Sequence, residues 1–226
     1  MDGTLLNTED LYTEATTELL ARYGKGPFTW DKKIKVAGLP GSYATNVIIN
    51  EYKLPLTAEE YLKEVSDIQL TKWPKTHFLP GALELLDYLK QKKIPMALGT
   101  SSTLLNYERK TGHLKEGFEY FGDHIVTGDD KRIADGRGKP HPDIWHACLD
   151  SINADRNSKG LENIKIEECL IFEDSHIGVK SGVASNAHVI WIPHPEASHL
   201  FDESEDGEYE IITNLNMLDK AKYYLE

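Results

Sequence analysis

The stretch Cys-Leu-Ile-Phe-Glu-Asp, residues 169–174, decides the fold. A short apolar run that stops abruptly at two carboxylates reads as a buried strand whose carboxyl end reaches the surface. Three more runs of this kind lie at residues 94–99, 124–127 and 187–192. Enough chain separates each from the next for a crossover helix. Alternating strand and helix predicts a parallel, doubly wound α/β sheet of the Rossmann-like kind.

Upstream the texture is helical. Residues 9–23 carry Leu11, Ala15, Leu19 and Tyr23 at intervals of four, with Gly24 as the stop. Residues 34–53 continue the helical pattern, and Thr57 with Glu60 forms a capping box that opens a helix through Leu62 and Val65. Pro80-Gly81 opens another, with Ala82, Leu85, Leu86 and Leu89 on one face. Met1–Thr4 reads as the end of a strand, with a tight turn at Gly3. The expected layout is a core of residues 1–9 and 79–226 with a helical insert at 10–78.

Composition narrows the function. The chain has 226 residues, 40% of them hydrophobic and 27% charged, which places it in the ordinary soluble globular class. A formal charge of −12 argues against nucleic acid or anionic membrane as partner, because both require a basic face. No apolar run approaches a membrane span, and the N-terminus lacks a signal peptide's basic and apolar regions. Cys148 and Cys169 sit in apolar contexts and are expected as reduced thiols, which implies a cytoplasm-like compartment.

In open parallel sheets, ligands bind beyond the carboxyl ends of the strands. After residues 94–99 come Thr100-Ser101-Ser102, hydroxyls that suit a phosphate at a helix start or simply cap the helix. Glu173-Asp174 are hard oxygen donors suited to Mg²⁺, or again helix-capping acids before Ser175 and Gly178. Asp2 is a third strand-end acid. Lys139, between Gly138 and Pro140, is either a solvated loop lysine or a fixed cation that neutralises carboxylate and phosphate. Together these groups form the set that phosphoryl transfer requires. Gly138-Lys139 is followed by proline, so it is no P-loop, and no dinucleotide fingerprint is present. His194 and His199 are poorly spaced for metal, and Asp129-Asp130 reads as a turn.

These residues resemble the motifs of the haloacid dehalogenase superfamily. Met-Asp-Gly-Thr-Leu-Leu-Asn-Thr-Glu (1–9), Thr100, Lys139 in Gly-Lys-Pro-His-Pro-Asp, and Glu173-Asp174 look like its four motifs in order. Within it the chain is most similar to pseudouridine-5′-phosphatase-like members, through Trp30-Asp31-Lys32-Lys33, Leu79–Ala82, Thr100–Ser102, Gly128–Asp130 and Gly138–Trp145. The resemblance implies that 10–78 is a helical cap and that Asp2 is the general acid/base, its carbonyl also binding Mg²⁺. It implies that Thr100 binds the phosphoryl group, Lys139 bridges nucleophile and phosphate, and Glu173 and Asp174 serve the metal. The implied substrate is a small phosphorylated metabolite such as pseudouridine monophosphate, and the expected state is a monomer.

The family's nucleophilic aspartate lies two residues before the acid/base, which here is the position preceding Met1. The expectation is that this residue and its strand precede the sequence given. A non-catalytic binding protein on the same scaffold is the competing reading. The sister β-phosphoglucomutase group has a histidine ten residues after the acid/base, where this chain has Tyr12, and a basic pair where it has Ala37-Gly38-Leu39-Pro40-Gly41. Hydrolysis rather than mutation is therefore expected. Lys139→Ala is expected to lower activity without unfolding the chain, since loop lysines rarely carry stability.

Overall fold

Helix α1 (Thr8–Arg22) buries Leu11, Ala15 and Leu19 on one face, and the helix gives way to Gly24 in the left-handed region at φ +65°. Helices α2 (Trp30–Lys33), α3 (Gly41–Tyr52) and α4 (Ala58–Lys72) follow. The computed structural model describes residues 1–33, 35–36, 41–197 and 209–225; much of the stretch 34–40 and His199 lie outside them. At the start of α4 the capping box is complete: Glu60 N–H donates to the Thr57 hydroxyl, and Thr57 N–H donates to the Glu60 carboxylate at 2.8 Å. Val65 is buried, whereas Leu62 faces solvent. Helices α1, α3 and α4 share an apolar core of their own around Leu19, Leu20, Ile48, Tyr61 and Ile68.

The remaining elements alternate. Helix α5 (Ala82–Gln91) buries all four of its expected core residues. Burying leucines in this way contributes roughly 1.5–3 kcal/mol per side chain. Then come β1 (Leu98–Gly99), α6 (Leu104–Thr111), the distorted turn α7 (Lys115–Phe118), β2 (Ile125–Val126), α8 (Asp143–Ser158), β3 (Leu170–Glu173), α9 (His176–Ala184), β4 (His188–Trp191) and β5 (Glu210–Ile211). Among the described residues the named strands pair in parallel, β1 with β2, β3 with β4, and β4 with β5, and an isolated antiparallel bridge joins Leu6 to Phe78. Helix α8 packs on β1 and β2, and α9 on β3 and β4.

Two details differ from the sequence reading. The first strand is shorter than 94–99, because Ile94 N–H closes α5 by donating to Leu89 O, and Pro95 has no N–H to give a ladder. Among the described residues the strands also form two hydrogen-bonded pieces rather than one sheet, β1–β2 and β3–β4–β5. An apolar cavity of about 300 Å³ lies between them, lined by β1, β3 and side chains such as Leu86, Leu89, Trp145 and Ile152. The indole N–H of Trp145 is buried there without a hydrogen-bond partner among the described residues.

Candidate active site

The carboxyl ends of β1 and β3 and the turn at the N-terminus meet at one place. Gly3 N–H donates to Leu6 O, and Leu5 and Leu6 N–H groups both donate to Met1 O, which folds the chain back on itself. Gly3 holds φ +64°, and a Cβ there would stand 2.1 Å from Asp174 Oδ2. Only glycine allows both the left-handed turn and this approach. The turn aims Asp2 into a buried polar cluster. Its Oδ1 accepts from Lys110 Nζ at 2.6 Å, and its Oδ2 accepts from the Ser102 hydroxyl at 2.9 Å. Lys110 Nζ also donates to Ser102 Oγ and to the Tyr12 hydroxyl, at 2.9 and 2.7 Å.

The loop after β1 is tied in from the other side. Thr100 is buried; its N–H donates to Val126 O and its hydroxyl accepts from Ser102 N–H. The helix start expected there comes later, with Thr103 capping α6 at Asn106. Lys139 reaches from its loop to pair with the Glu173 carboxylate, lies within 3.5 Å of Gly99 O, and sits 4.7 Å above the Trp145 ring. It is therefore a fixed cation and not a solvated one. Ser175 donates to Glu173 at 3.2 Å and itself accepts from Gly178 N–H, capping α9 as its position suggested. Asp174 accepts from the Thr4 hydroxyl at 3.1 Å. The contacts thus bring together all five residues singled out in the sequence: Asp2, Thr100, Lys139, Glu173 and Asp174.

The charges are unevenly compensated. Burial pushes the Asp2 carboxyl up, but the charge and hydrogen bond of Lys110 outweigh it and hold Asp2 below the usual range. Asp174 is pushed up to about 8, by burial first and then by Glu173 and Glu9. No three acidic, histidine or cysteine side chains among the described residues converge as a ready-made metal cage. The donor chemistry nevertheless suits a hard divalent cation: Asp174 is a crowded carboxylate short of positive charge, while Glu173 is already engaged by Lys139 and Ser175.

Other sequence candidates have structural roles. Asp129 accepts from Thr127 and from Leu104 N–H, and Asp130 pairs with Arg132. His194 is half-buried, stacked on Trp30 at 4.3 Å and 3.5 Å from Asp10. The segment Ala37–Pro40 lies outside the described residues. Sequence reasoning missed Lys110, Glu9 and Thr4. Lys110 stands in the last turn of α6, where a lysine ordinarily complements the helix dipole, so nothing in its position marked it.

A family model for haloacid dehalogenase-like hydrolases matches residues 1–192. The chain belongs to this family. Members similar to it include a Saccharomyces cerevisiae protein named as a probable pseudouridine-5′-phosphatase, 52% identical across all of this chain and 94% of the relative. A (DL)-glycerol-3-phosphatase 2 from Arabidopsis thaliana is 32% identical, covering 95% of this chain and 85% of that one. The crystal structure of a haloacid dehalogenase hydrolase of family IA, variant 3, from Entamoeba histolytica superposes with a TM-score of 0.73 at 23% identity, covering 99% of this chain and 94% of the other. Family membership makes the chain a hydrolase. No helix among the described residues is long and apolar enough to cross a membrane.

Proposed function

We propose that this chain is a Mg²⁺-assisted phosphatase that hydrolyses the phosphomonoester of a small polar metabolite, pseudouridine-5′-phosphate or a similar nucleotide or sugar phosphate. The observation that carries this is the meeting of Lys139, the Thr100–Ser102 loop, Asp2 and Asp174 at one strand-end locus. The relatives named as phosphatases of pseudouridine and glycerol phosphates support the substrate class.

In this reading Lys139 and the loop at Thr100 take the charged phosphoryl oxygens. Asp2 protonates the leaving alkoxide and then takes a proton from the attacking water. A bound Mg²⁺ would be held by Asp174 and the Asp2 carbonyl, with Glu173 assisting, and would neutralise phosphate charge. The nucleophilic carboxylate of an aspartyl-phosphate route belongs to the position before Met1, which the given sequence does not include. The helices of residues 10–78 serve as the cap over the site.

Tyr12, engaged with Lys110, gives the cap no histidine at the position of the mutase group. Hydrolysis is the expected outcome, without interconversion of glucose phosphates. The test is phosphate release from a panel of phosphomonoesters, with Mg²⁺ and with chelator, by the chain as given and by a form extended upstream of Met1. Mg²⁺-dependent release led by pseudouridine monophosphate supports the reading. A folded, Mg²⁺-binding protein that releases nothing in either form supports the non-catalytic binder instead.

A further inference from the structure

Lys110 is the unexpected member of the site. Its side chain has no solvent exposure, although it carries an ammonium group. Such a group persists in the interior only where oxygens and π faces replace water. Here the replacement is complete. Three oxygens, from Asp2, Tyr12 and Ser102, accept from Nζ. The Tyr12 and Trp73 rings lie 4.8 and 5.0 Å from it. Those rings pack edge to face, with centroids 5.0 Å apart. The backbone is fixed as well: Lys110 O accepts from the Thr76 hydroxyl at 2.6 Å.

Two things follow from this placement. Both carboxylate oxygens of Asp2 accept from groups on the α6 side, so the carboxylate has one orientation. Tyr12 stands near the start of the helical segment 10–78 and Trp73 near its end, so the same ammonium joins Asp2 to both connections.

We infer that Lys110 is a positioning residue that fixes the Asp2 carboxylate for proton abstraction from the water that hydrolyses the phosphorylated enzyme. This rests on the acid/base reading of Asp2 above. In that step the water oxygen forms a bond to phosphorus, its proton passes to Asp2, and the bond from phosphorus to the enzyme carboxylate breaks.

The experiment compares Lys110→Met with the parent in the form that turns over, using p-nitrophenyl phosphate. This ester needs little protonation of its leaving group, so kcat/KM reports phosphorylation of the enzyme and kcat reports hydrolysis of the intermediate. The expected result is a fall in kcat of about tenfold or more, with KM falling in step and kcat/KM within about threefold of the parent. Lys110→Arg should recover part of kcat. Equal losses in kcat and kcat/KM would mean that Lys110 serves folding alone and would overturn the inference.

Asp2→Asn separates the two claims. If it shows the split and Lys110→Met does not, the inference falls and the reading of Asp2 stands. If Asp2→Asn shows no fall in kcat, the reading itself fails. Should Lys110→Met not fold, Ser102→Ala removes the donor to the second carboxylate oxygen while keeping the buried pair. It should give a smaller split of the same kind, and an unchanged kcat would overturn the inference.

Discussion

Gly178 in the first turn of α9 lies directly against the carboxylate of Glu173, so close that a Cβ on it would stand 2.1 Å from Glu173 Cδ. The helix can approach the end of β3 only because that carbon is missing. Gly178→Ala must push Glu173 off Lys139 or shift the helix, and either change is costly in a packed interior. The expected loss is about 1–3 kcal/mol in denaturant unfolding, with a fall in phosphatase activity. Gly26→Ala is the control, since nothing lies within 4 Å of a Cβ there, and it should stay within about 0.5 kcal/mol of the parent. Equal stability of the two variants would remove the steric argument.

Lys139 and Glu173 form a pair with side-chain exposures of only 10% and 5%. The general rule that loop lysines carry little stability therefore does not reach Lys139. Lys139→Ala leaves a buried carboxylate without its cation, and about 3–5 kcal/mol of destabilisation is expected. Adding Glu173→Gln should restore much of that loss, because the unpaired charge is gone. Unfolding free energies for the four members of this cycle decide the matter; strictly additive losses would show that the pair is not coupled.

How far the sequence could be read depended on the range of each signal. The capping box at Thr57, the buried face of α5 and the glycine turn after Asp2 are local patterns, and each formed as its residues indicate. The strand-end acids were legible because an apolar run ending in carboxylates marks an edge of the core. Lys110 was not legible, since Tyr12 and Asp2, two of its three partners, lie 98 and 108 positions away and its helix-end location has an ordinary explanation. Strand β5 has two residues, too few for a periodicity. The capture of Lys139 by Glu173 depends on a contact 34 positions apart that no spacing encodes.

Cys148 is buried against the helix–strand interface, and burial pushes its thiol up to about 12. At pH 8 it is a protonated thiol shielded from reagent, so it is inert on both counts. A thiol-reactive disulfide should modify Cys148 only as fast as the chain unfolds, and peptide mapping after partial labelling would show it. Rapid modification in the native protein would contradict its placement.

Asp174 contributes a pH dependence to the stability of the metal-free chain. Its carboxyl is raised from the ordinary value of 3.8 to about 8, because burial, Glu173 and Glu9 all oppose its charge. The folded state therefore binds a proton that the unfolded state releases near pH 4. The stability this supplies is fully present below the unfolded value, and it is lost progressively as pH rises toward the folded value near 8. Asp174→Asn keeps the shape and removes the charge, so the variant should gain on the parent as pH rises from 5 to 8, by on the order of 1 kcal/mol or more. Titrating groups far from Asp174 are common to both proteins and largely cancel in the difference. Mg²⁺ should narrow the gap by stabilising the parent and not the variant, since a ligand of the folded state adds stability according to its affinity. Thermal or denaturant unfolding at several pH values, with Mg²⁺ and with chelator, measures this. A stability difference that is flat with pH would show that Asp174 is already ionised at neutral pH without a cation.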